Sequence, residues 1–245
     1  MSFGEPTEWH EIAPSTMELA AARGRAGAPE GLLIVAGQKR AGQGRLGRRW
    51  HSPPGGLWLS LLLRPRLKAE ALGLIGLAFA VAAAEAAGSV AGIPVGVKWP
   101  NDVVVNGRKL AGVLAESHLR SSEVEFVVVG MGMNVNIAAD AFPEELRKLA
   151  TSLLIETGKQ VSTREVLQAF LRGSEGLYHK LANGDSQPVI ERWRKLAVGL
   201  NRPVRALVKG EEIAGEALGI AGDGSLLVGT PGGVKAVSSG EVEWR

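Results

Sequence analysis

The sequence contains no cysteine, which excludes several classes of site at once. Without thiols the chain cannot form disulfides, use a thiolate nucleophile or build a zinc or iron–sulfur site ligated by cysteine. Its four histidines, His10, His51, His118 and His179, lie far apart in the sequence, and no pair has the spacing of metal ligands. The sequence therefore predicts neither a thiol enzyme nor a metal centre built on histidine.

An excess of charge of one sign is also absent. Lysine and arginine number 28 against 25 acidic residues, a formal net charge of +3, which does not by itself indicate a nucleic-acid binder. Hydrophobic residues make up 45% and charged residues 22%, as in ordinary globular proteins. We therefore expect 245 residues to form one large domain or two smaller ones.

The sequence also lacks the features of a targeting segment or a membrane span. Residues 1–14 contain no apolar run, so they do not resemble a signal peptide. The most hydrophobic stretch, Leu72 to Ala91, is interrupted by Glu85 and followed by Gly92 and Pro94. Its composition predicts a buried helix, and we expect a cytoplasmic protein that does not contact a membrane.

The first four-fifths of the chain mixes short β-branched runs with capped helical segments. The two kinds of element interleave without a regular βαβ rhythm, which favours an α+β fold over a doubly wound sheet. The predicted strands are Leu32–Ala36, Leu57–Leu63, Val95–Trp99, Val103–Val105, Val113–Glu116 and Val124–Val129, and the predicted helices are Thr16–Arg23, Glu70–Ala87, Pro143–Thr157 and Thr163–Leu181.

The pattern changes near Asn201. From there short β-rich runs alternate with turn pairs such as Lys209-Gly210 and Asp223-Gly224, which is typical of a small β-barrel made of hairpins. We therefore predict two domains, residues 1–197 and 198–245.

A basic glycine-rich segment, GQGRLGRRW, runs from Gly42 to Trp50. Glycines let the backbone approach a ligand, and guanidinium groups are permanent planar donors that suit phosphate or carboxylate. The segment is neither a P-loop nor a Rossmann fingerprint. Its alternative interpretation is a solvated basic turn.

A second segment, KWPND, spans Lys98 to Asp102. Proline disfavours helix at the residue before it, so a turn follows the strand there, with a ligand site or a structural salt bridge as alternatives. The Asn106-Gly107 pair predicts a hairpin that returns Lys109 towards Asp102.

A third segment, GMGMNVN, ends an apolar strand and offers Asn134 or Asn136 to a ligand or to a turn. Together the segments supply cations and amide donors but no evident nucleophile. This combination favours phosphoryl or nucleotidyl transfer, with Asp102 as a base or a magnesium ligand.

The segments GQGRLGRRW, KWPNDVVVNGRKLAGVLAE and GMGMNVN, in this order, resemble the biotin protein ligases. The resemblance implies an SH2-like, class II synthetase-like catalytic domain with a mixed sheet, followed by an SH3-like barrel. It also implies that ATP and biotin, with Mg²⁺, give biotinyl-5′-AMP, and that biotin then passes to a lysine of a biotin carboxyl carrier protein.

The resemblance also implies roles for individual residues. Lys109 and Arg45 contact the biotin carboxylate and the reacting phosphate, and Asp102 assists the acceptor lysine or the metal. The implied biotin contacts are Ser15, Thr16, Gly42, Gly44, Arg45, Trp50, Lys109, Gly112 and Leu114, and the implied adenylate contacts are Arg48, Trp50, Lys98, Asn101 and Asn134.

Two departures from the family pattern concern biotin. Lys39 stands where family members often have glutamine, with Gln38 one residue earlier, so either could contact the ureido ring. Met17 replaces the asparagine that often follows the Ser-Thr pair. That pair begins at residue 15, which leaves no room for an N-terminal winged helix, so we expect a ligase without repressor activity or DNA binding, as a homodimer or a monomer.

Two alternatives stay open at this stage. A lipoate ligase or acyl transferase on a related fold would also load a carrier lysine. A nucleic-acid-binding module would use the basic loop, but the acids of the C-terminal segment oppose it: Glu211, Glu212, Glu216, Asp223, Glu241 and Glu243.

Overall fold

A computed structural model describes residues 2–67, 69–121, 123–208 and 210–244 and has an α+β architecture with two sheets. The larger sheet has seven strands, of which only the first two along the chain pair in parallel, so it is mixed as the resemblance implies. Its strands are β1 (Thr7–Ala13), β2 (Leu33–Lys39), β3 (Leu57–Leu63), β4 (Gly96–Lys98), β5 (Asp102–Val105), β6 (Arg108–Arg120) and β7 (Glu123–Met133), in the order β1-β2-β3-β7-β6-β5-β4.

Five α-helices accompany the sheets in the described residues. The first begins as predicted, because the Ser15 hydroxyl accepts a hydrogen bond from the Glu18 amide at 3.3 Å. It packs on one face of the larger sheet, and the second and fourth pack together on the other face. The helices are α1 (Thr16–Arg25), α2 (Ala69–Ala91), α3 (Leu153–Thr157), α4 (Thr163–Ala182) and α5 (Gln187–Leu196).

Helix α2 is the hydrophobic stretch that the sequence singled out. Residues Ala71–Ala91 are long and apolar enough to cross a membrane, but 67% of that stretch is buried within the protein. Phe79 of α2 meets Phe170 of α4 edge to face, with ring centroids 5.9 Å apart. The burial agrees with the prediction of a core helix.

The second sheet is antiparallel and lies at the C-terminal end of the chain. The Asp223-Gly224 turn separates its second and third strands as predicted, while Lys209 of the other predicted turn lies outside the described residues. Trp99 donates an indole hydrogen bond to the Gly224 carbonyl at 2.9 Å, which joins the two sheets. The boundary between residues 197 and 198 stays a prediction. The strands are β8 (Pro203–Val208), β9 (Glu211–Ile220), β10 (Leu226–Thr230), β11 (Gly233–Val237) and β12 (Glu241–Trp244), in the order β11-β10-β9-β8-β12.

The predicted helix Pro143–Thr157 is wrong over most of its length. A 3-10 turn occupies Glu144–Leu146, and only α3 is α-helical. A turn follows at residues 147–149, and Ala150 then bridges β6, where the Lys109 amide donates to the Leu149 carbonyl and the Thr151 amide donates to the Lys109 carbonyl. Two elements, β1 and α5, were not predicted.

Candidate active site

The Asn106-Gly107 turn builds the first wall of the site. Both residues have positive φ, +50° and +77°, as a two-residue hairpin turn requires, and β5 pairs antiparallel with β6. Lys109 Nζ consequently lies 2.6 Å from Asp102 Oδ1. The predicted hairpin and the return of Lys109 to Asp102 are confirmed.

The pairing of β5 with β6 places Lys109 on the face of Asp102. Lys109 lies opposite Val104, and side chains two residues apart in a strand share a face. Val103 lies opposite Ala111, so Leu110 is an extra residue in β6 and forms a bulge beside the lysine. Both backbone polar groups of Lys109 are hydrogen-bonded to one neighbouring segment: its amide donates to Leu149, and its carbonyl accepts from Thr151.

The basic glycine-rich segment forms the opposite wall as a short hairpin. The Trp50 amide donates to the Gly42 carbonyl at 2.8 Å, and the Gly44 amide donates to the Arg48 carbonyl at 2.7 Å. A 3-10 turn, Arg45–Gly47, forms its tip, where Leu46 has a φ of +58° and is 66% exposed. A Cβ at Gly42 would lie 2.5 Å from the Trp50 carbonyl oxygen, so glycine is required there.

Between these walls lies a cavity of about 360 Å³. Strand β12 of the second sheet closes part of it with Val242 and Trp244. Twelve of the sixteen predicted site residues line it: Lys39, Gly44, Arg45, Arg48, Trp50, Lys98, Asn101, Asp102, Lys109, Gly112, Leu114 and Asn134.

The other four predicted residues do not belong to the cavity wall. Ser15 caps α1, and Thr16 is fully buried, where its hydroxyl accepts a hydrogen bond from Ser60 at 2.9 Å. Gly42 lies within the loop hairpin. Gln38 does not line the cavity, although its neighbour Lys39 does.

Several residues of the cavity wall were not among the predicted ligand contacts. Met17 does line the cavity, with its sulfur over Gly130, so the departure noted after the Ser-Thr pair lies at the site. Trp244 and Leu149 also line the cavity. Trp244 reaches it only because the second sheet packs beside the first, and no local motif marks that contact.

The Trp50 indole lies across two glycines of the sheet. A Cβ at Gly132 would lie 2.6 Å from its Nε1, and one at Gly112 would lie 3.2 Å from its ring. Gly112 and Gly132 are partners in the β6–β7 ladder, so together they provide a flat seat. The Nε1 group is buried without a hydrogen-bond partner in the described part of the chain.

Three lysines of the cavity each lie near an indole ring. Their Nζ atoms are 5.1 to 5.9 Å from the ring centroids, within the range of cation–π attraction. Only one of the three, that of the hairpin, also has a carboxylate partner among the described residues. The pairs are Lys39 with Trp58, Lys98 with Trp244, and Lys109 with Trp50.

Burial lowers the pKa values of two cations in the cavity. It lowers the pKa of Lys39 to about 8, because an ammonium loses hydration there. Burial also lowers the pKa of the Arg45 guanidinium, an effect that the nearby Asp102 carboxylate opposes. Arginine stays charged in proteins, so Arg45 still supplies a positive charge.

A resident metal has little support in this geometry. Residues 2–67, 69–121, 123–208 and 210–244 contain no cluster of three histidine, aspartate or glutamate side chains that could hold an ion. Asp102 is already paired with Lys109. The donors fit a cation that arrives with a nucleotide, whose phosphates would supply most of its ligands.

The sequence and the fold both match known families and proteins. Residues 9–134 match the biotin/lipoate A/B protein ligase family, and residues 199–245 match the biotin protein ligase C-terminal domain. The bifunctional ligase/repressor BirA of Bacillus spizizenii is 36% identical over 98% of this chain and 74% of its own length. The biotin--[acetyl-CoA-carboxylase] ligase of Paracoccus denitrificans is 32% identical over 85% of this chain and 88% of its own length.

A solved structure has the same arrangement over nearly the whole chain. The biotin protein ligase from Aquifex aeolicus, in complex with biotin and ATP, aligns with a TM-score of 0.85 and 31% identity over 98% of each chain. The order of the three segments, the mixed sheet and the C-terminal sheet all agree with these matches. The chain therefore belongs to the biotin/lipoate A/B protein ligase family and, within it, to the biotin protein ligases.

Proposed function

We propose that this chain is an ATP-dependent biotin protein ligase with two half-reactions. First, a carboxylate oxygen of biotin attacks the α-phosphorus of ATP, pyrophosphate leaves and biotinyl-5′-AMP remains. Then the ε-amine of a lysine on a biotin carboxyl carrier protein attacks the acyl carbonyl, AMP leaves and the amine loses a proton. The observation that carries the proposal is the Lys109–Asp102 pair, which faces the Arg45 loop across one cavity.

Electrostatics explains the arrangement of the two walls. Carboxylate and phosphate repel each other, so their approach requires fixed positive charge between them. Lys109 is held by the sheet and Arg45 is carried by the loop, so the two cations reach the reacting groups from opposite sides. Their positions before the ligand arrives reduce the reorganisation that the transition state requires.

The nucleotide would occupy the part of the cavity next to the turn of the KWPND segment and next to the second sheet. Arg48 and Lys98 supply charge for the phosphates, and Trp50 supplies a ring. Asn101 donates its amide to the Val113 carbonyl at 2.6 Å, and Asn134 donates to the Thr151 carbonyl at 2.9 Å. In the part of the chain that the structure describes, no donor to either side-chain oxygen is seen, so both could accept a hydrogen bond from the ligand.

The apolar part of the cavity would hold the body of biotin. Leu114 and Gly112 form its floor and Trp50 forms one side, while Gly42 and Gly44 allow the loop to close over it. Ser15 and Thr16 are buried next to Met17 in the sequence, where Ser15 caps α1 and Thr16 accepts a hydrogen bond from Ser60.

Asp102 would act in both half-reactions. Its ion pair orients Lys109 during adenylation, and its carboxylate can take the proton that the acceptor lysine loses. Mg²⁺ would enter on the phosphates of ATP, where it would neutralise part of their charge, and Asp102 is the cavity carboxylate that could hold it.

The partner that follows from this activity is a biotin carboxyl carrier protein. We further propose that the chain works in the cytoplasm as a monomer or a homodimer and without binding DNA. The relative from Paracoccus denitrificans is named for acetyl-CoA carboxylase, which supports a carrier of that class.

The test is pyrophosphate exchange into ATP, with biotin and with lipoate in parallel. We expect exchange that requires biotin and Mg²⁺, followed by transfer to a purified carrier domain, which mass spectrometry detects as one added biotinyl group. Exchange with lipoate alone would identify a lipoate ligase. No exchange with either acid, from a folded sample, would refute the proposal.

A further inference from the structure

A second, smaller cavity lies behind the turn of the KWPND segment. It has a volume of about 270 Å³ and lies between α2, this turn and the turns of the second sheet. Trp99 and Pro100 line both cavities, so these two residues form the partition between them. A contact on the far side of the partition can therefore set the position of residues on the substrate side.

One hydrogen bond crosses from the partition to the second sheet. Trp99 is buried, and its indole Nε1 donates to the Gly224 carbonyl at 2.9 Å. Gly224 lies in the turn between β9 and β10, where the Asp223 carboxylate accepts from both the amide and the hydroxyl of Ser225, each at 2.9 Å. The donor and the acceptor of this bond each belong to a short turn between two strands.

Helix α2 packs closely against the turn that carries the acceptor. A Cβ at Gly73 would lie 2.7 Å from the Asp223 carbonyl oxygen, and one at Gly224 would lie 3.0 Å from Leu77 Cδ1. Gly224 also has a φ of +87°, which favours glycine. Because the helix and the turn are in such close contact, the helix fixes the position of the Gly224 carbonyl.

On the substrate side, the residues next to Trp99 are two of the proposed nucleotide contacts. Lys98 ends the edge strand β4 directly before Trp99, and Asn101 lies directly before β5. Asp102 is held more firmly, because it pairs with β4 on one side and with β6 on the other. A shift of Trp99 would therefore act on Lys98 and Asn101 before it acts on Asp102.

From this geometry we propose that Trp99 is a positioning residue for the nucleotide. Its hydrogen bond to Gly224 sets the place of Lys98 and Asn101, so the second sheet acts on ATP binding from behind the turn. The inference rests on the proposed function and extends it, because Gly224 and its support on α2, Gly73, lie outside the substrate cavity.

The experiment disturbs this contact from both ends. Trp99→Phe removes the donor, and Gly73→Ala displaces the turn that carries the acceptor, without changing the wall of the substrate cavity. Pyrophosphate exchange gives kcat and KM for ATP at saturating biotin, and KM for biotin at saturating ATP.

Each change has a matched control. Trp193→Phe shortens another buried indole, which has no hydrogen-bond partner in the described residues. Gly76→Ala adds a methyl group to the same helix as Gly73→Ala, at a position where a Cβ would meet no neighbouring element within 4 Å in the described part of the chain.

Both contact variants should raise KM for ATP and leave kcat and KM for biotin little changed. Trp99→Phe should raise KM for ATP about 5- to 30-fold, the size expected for one buried hydrogen bond. Gly73→Ala should raise it about 3- to 10-fold, because the turn must move to admit the methyl group. The double variant should show little more than the larger single effect, since both changes disturb the same contact. The two controls should keep the KM values of the parent.

Three results would count against the inference. If the parent shows exchange but both contact variants keep its KM for ATP, or raise KM for biotin equally, the contact has only a structural role. If the two effects multiply in the double variant, they act through separate contacts and the assigned link is wrong. If the parent shows no exchange at all, the proposed function fails, and the inference that rests on it fails too.

Discussion

The two walls of the cavity are built in opposite ways. The hairpin of β5 and β6 is fixed by ladder hydrogen bonds, by a bulge and by the ion pair between Lys109 and Asp102. The loop from Gly42 to Trp50 lies outside the strands of the sheet, forms its own short hairpin and contacts the sheet through the Trp50 indole. Reaction chemistry benefits from charge held in place, whereas substrate exchange requires a cover that can open. On the proposed function, we expect the hairpin to meet the first requirement and the loop to meet the second.

Removing the fixed charge should have the largest effect. Lys109→Ala should slow biotin-dependent pyrophosphate exchange by about 100-fold or more, because one preorganised cation is lost from the transition state. Circular dichroism should show an intact fold, since the side chain is partly exposed. Lys148→Ala, which removes an exposed lysine outside the cavity, is the control. A normal exchange rate in Lys109→Ala would contradict the assigned role.

Lys39, a cation in the wall of the cavity, should affect the stability of the protein in a pH-dependent way. Burial lowers the pKa of Lys39 from 10.5 in the unfolded chain to about 8, so between these values the unfolded chain binds more protons. The free energy of unfolding therefore rises with pH through this window. Below pH 8 the folded protein carries the full penalty of a buried ammonium.

Lys39→Met removes that penalty without a large change in volume. It should raise the free energy of unfolding by about 2 kcal/mol at pH 7, and the gain should largely vanish by pH 10.5. Urea denaturation of both proteins at the two pH values measures the difference. A gain that is the same at both pH values would show that packing, rather than charge, is responsible.

Removing a charge from the Gly42–Trp50 loop should affect how long the protein retains biotinyl-5′-AMP. Arg45→Gly removes a guanidinium from the loop tip, and biotinyl-5′-AMP should leave about tenfold faster, as expected for one charged contact. Rapid filtration of enzyme loaded with labelled biotin gives the release rate. An unchanged rate would mean that the loop does not hold the intermediate through Arg45.

The smallest expected effect concerns Gly42, at the start of the loop. Gly42→Ala places a Cβ 2.5 Å from a backbone carbonyl, so the loop must shift, at a cost of about 1 kcal/mol. Gly44→Ala is the matched comparison within the same loop, because its nearest contact would be 3.4 Å. Chemical denaturation should rank Gly42→Ala below Gly44→Ala in stability, and equal stabilities would remove the steric argument.

Local signals predicted the fixed wall well. Asn106-Gly107 specifies a hairpin turn, and a hairpin leaves few positions for Lys109 other than beside Asp102. The proline of the KWPND segment marked the turn that precedes Asp102. These elements depend on residues that are close in sequence, which is why the sequence alone sufficed.

Contacts that depend on strand order were not predictable in the same way. Trp50 can reach Gly132 only because β7 is inserted between β3 and β6. The choice between Gln38 and Lys39 has a similar origin, because both residues pair with β1 at the end of β2, and only the tertiary fold shows that Lys39 lines the cavity. The failed helix around Leu149 reflects long-range pairing with β6.

The aromatic neighbours of the cavity lysines have a consequence for the resting protein. An indole face attracts an ammonium by roughly 0.5 to 2 kcal/mol and cannot accept its proton. In the described part of the chain, Lys39 beside Trp58 and Lys98 beside Trp244 have no carboxylate partner that an incoming acid would have to displace. A negatively charged ligand would add a full charge to the weak attraction of the indole quadrupole, so these two lysines favour an anionic ligand.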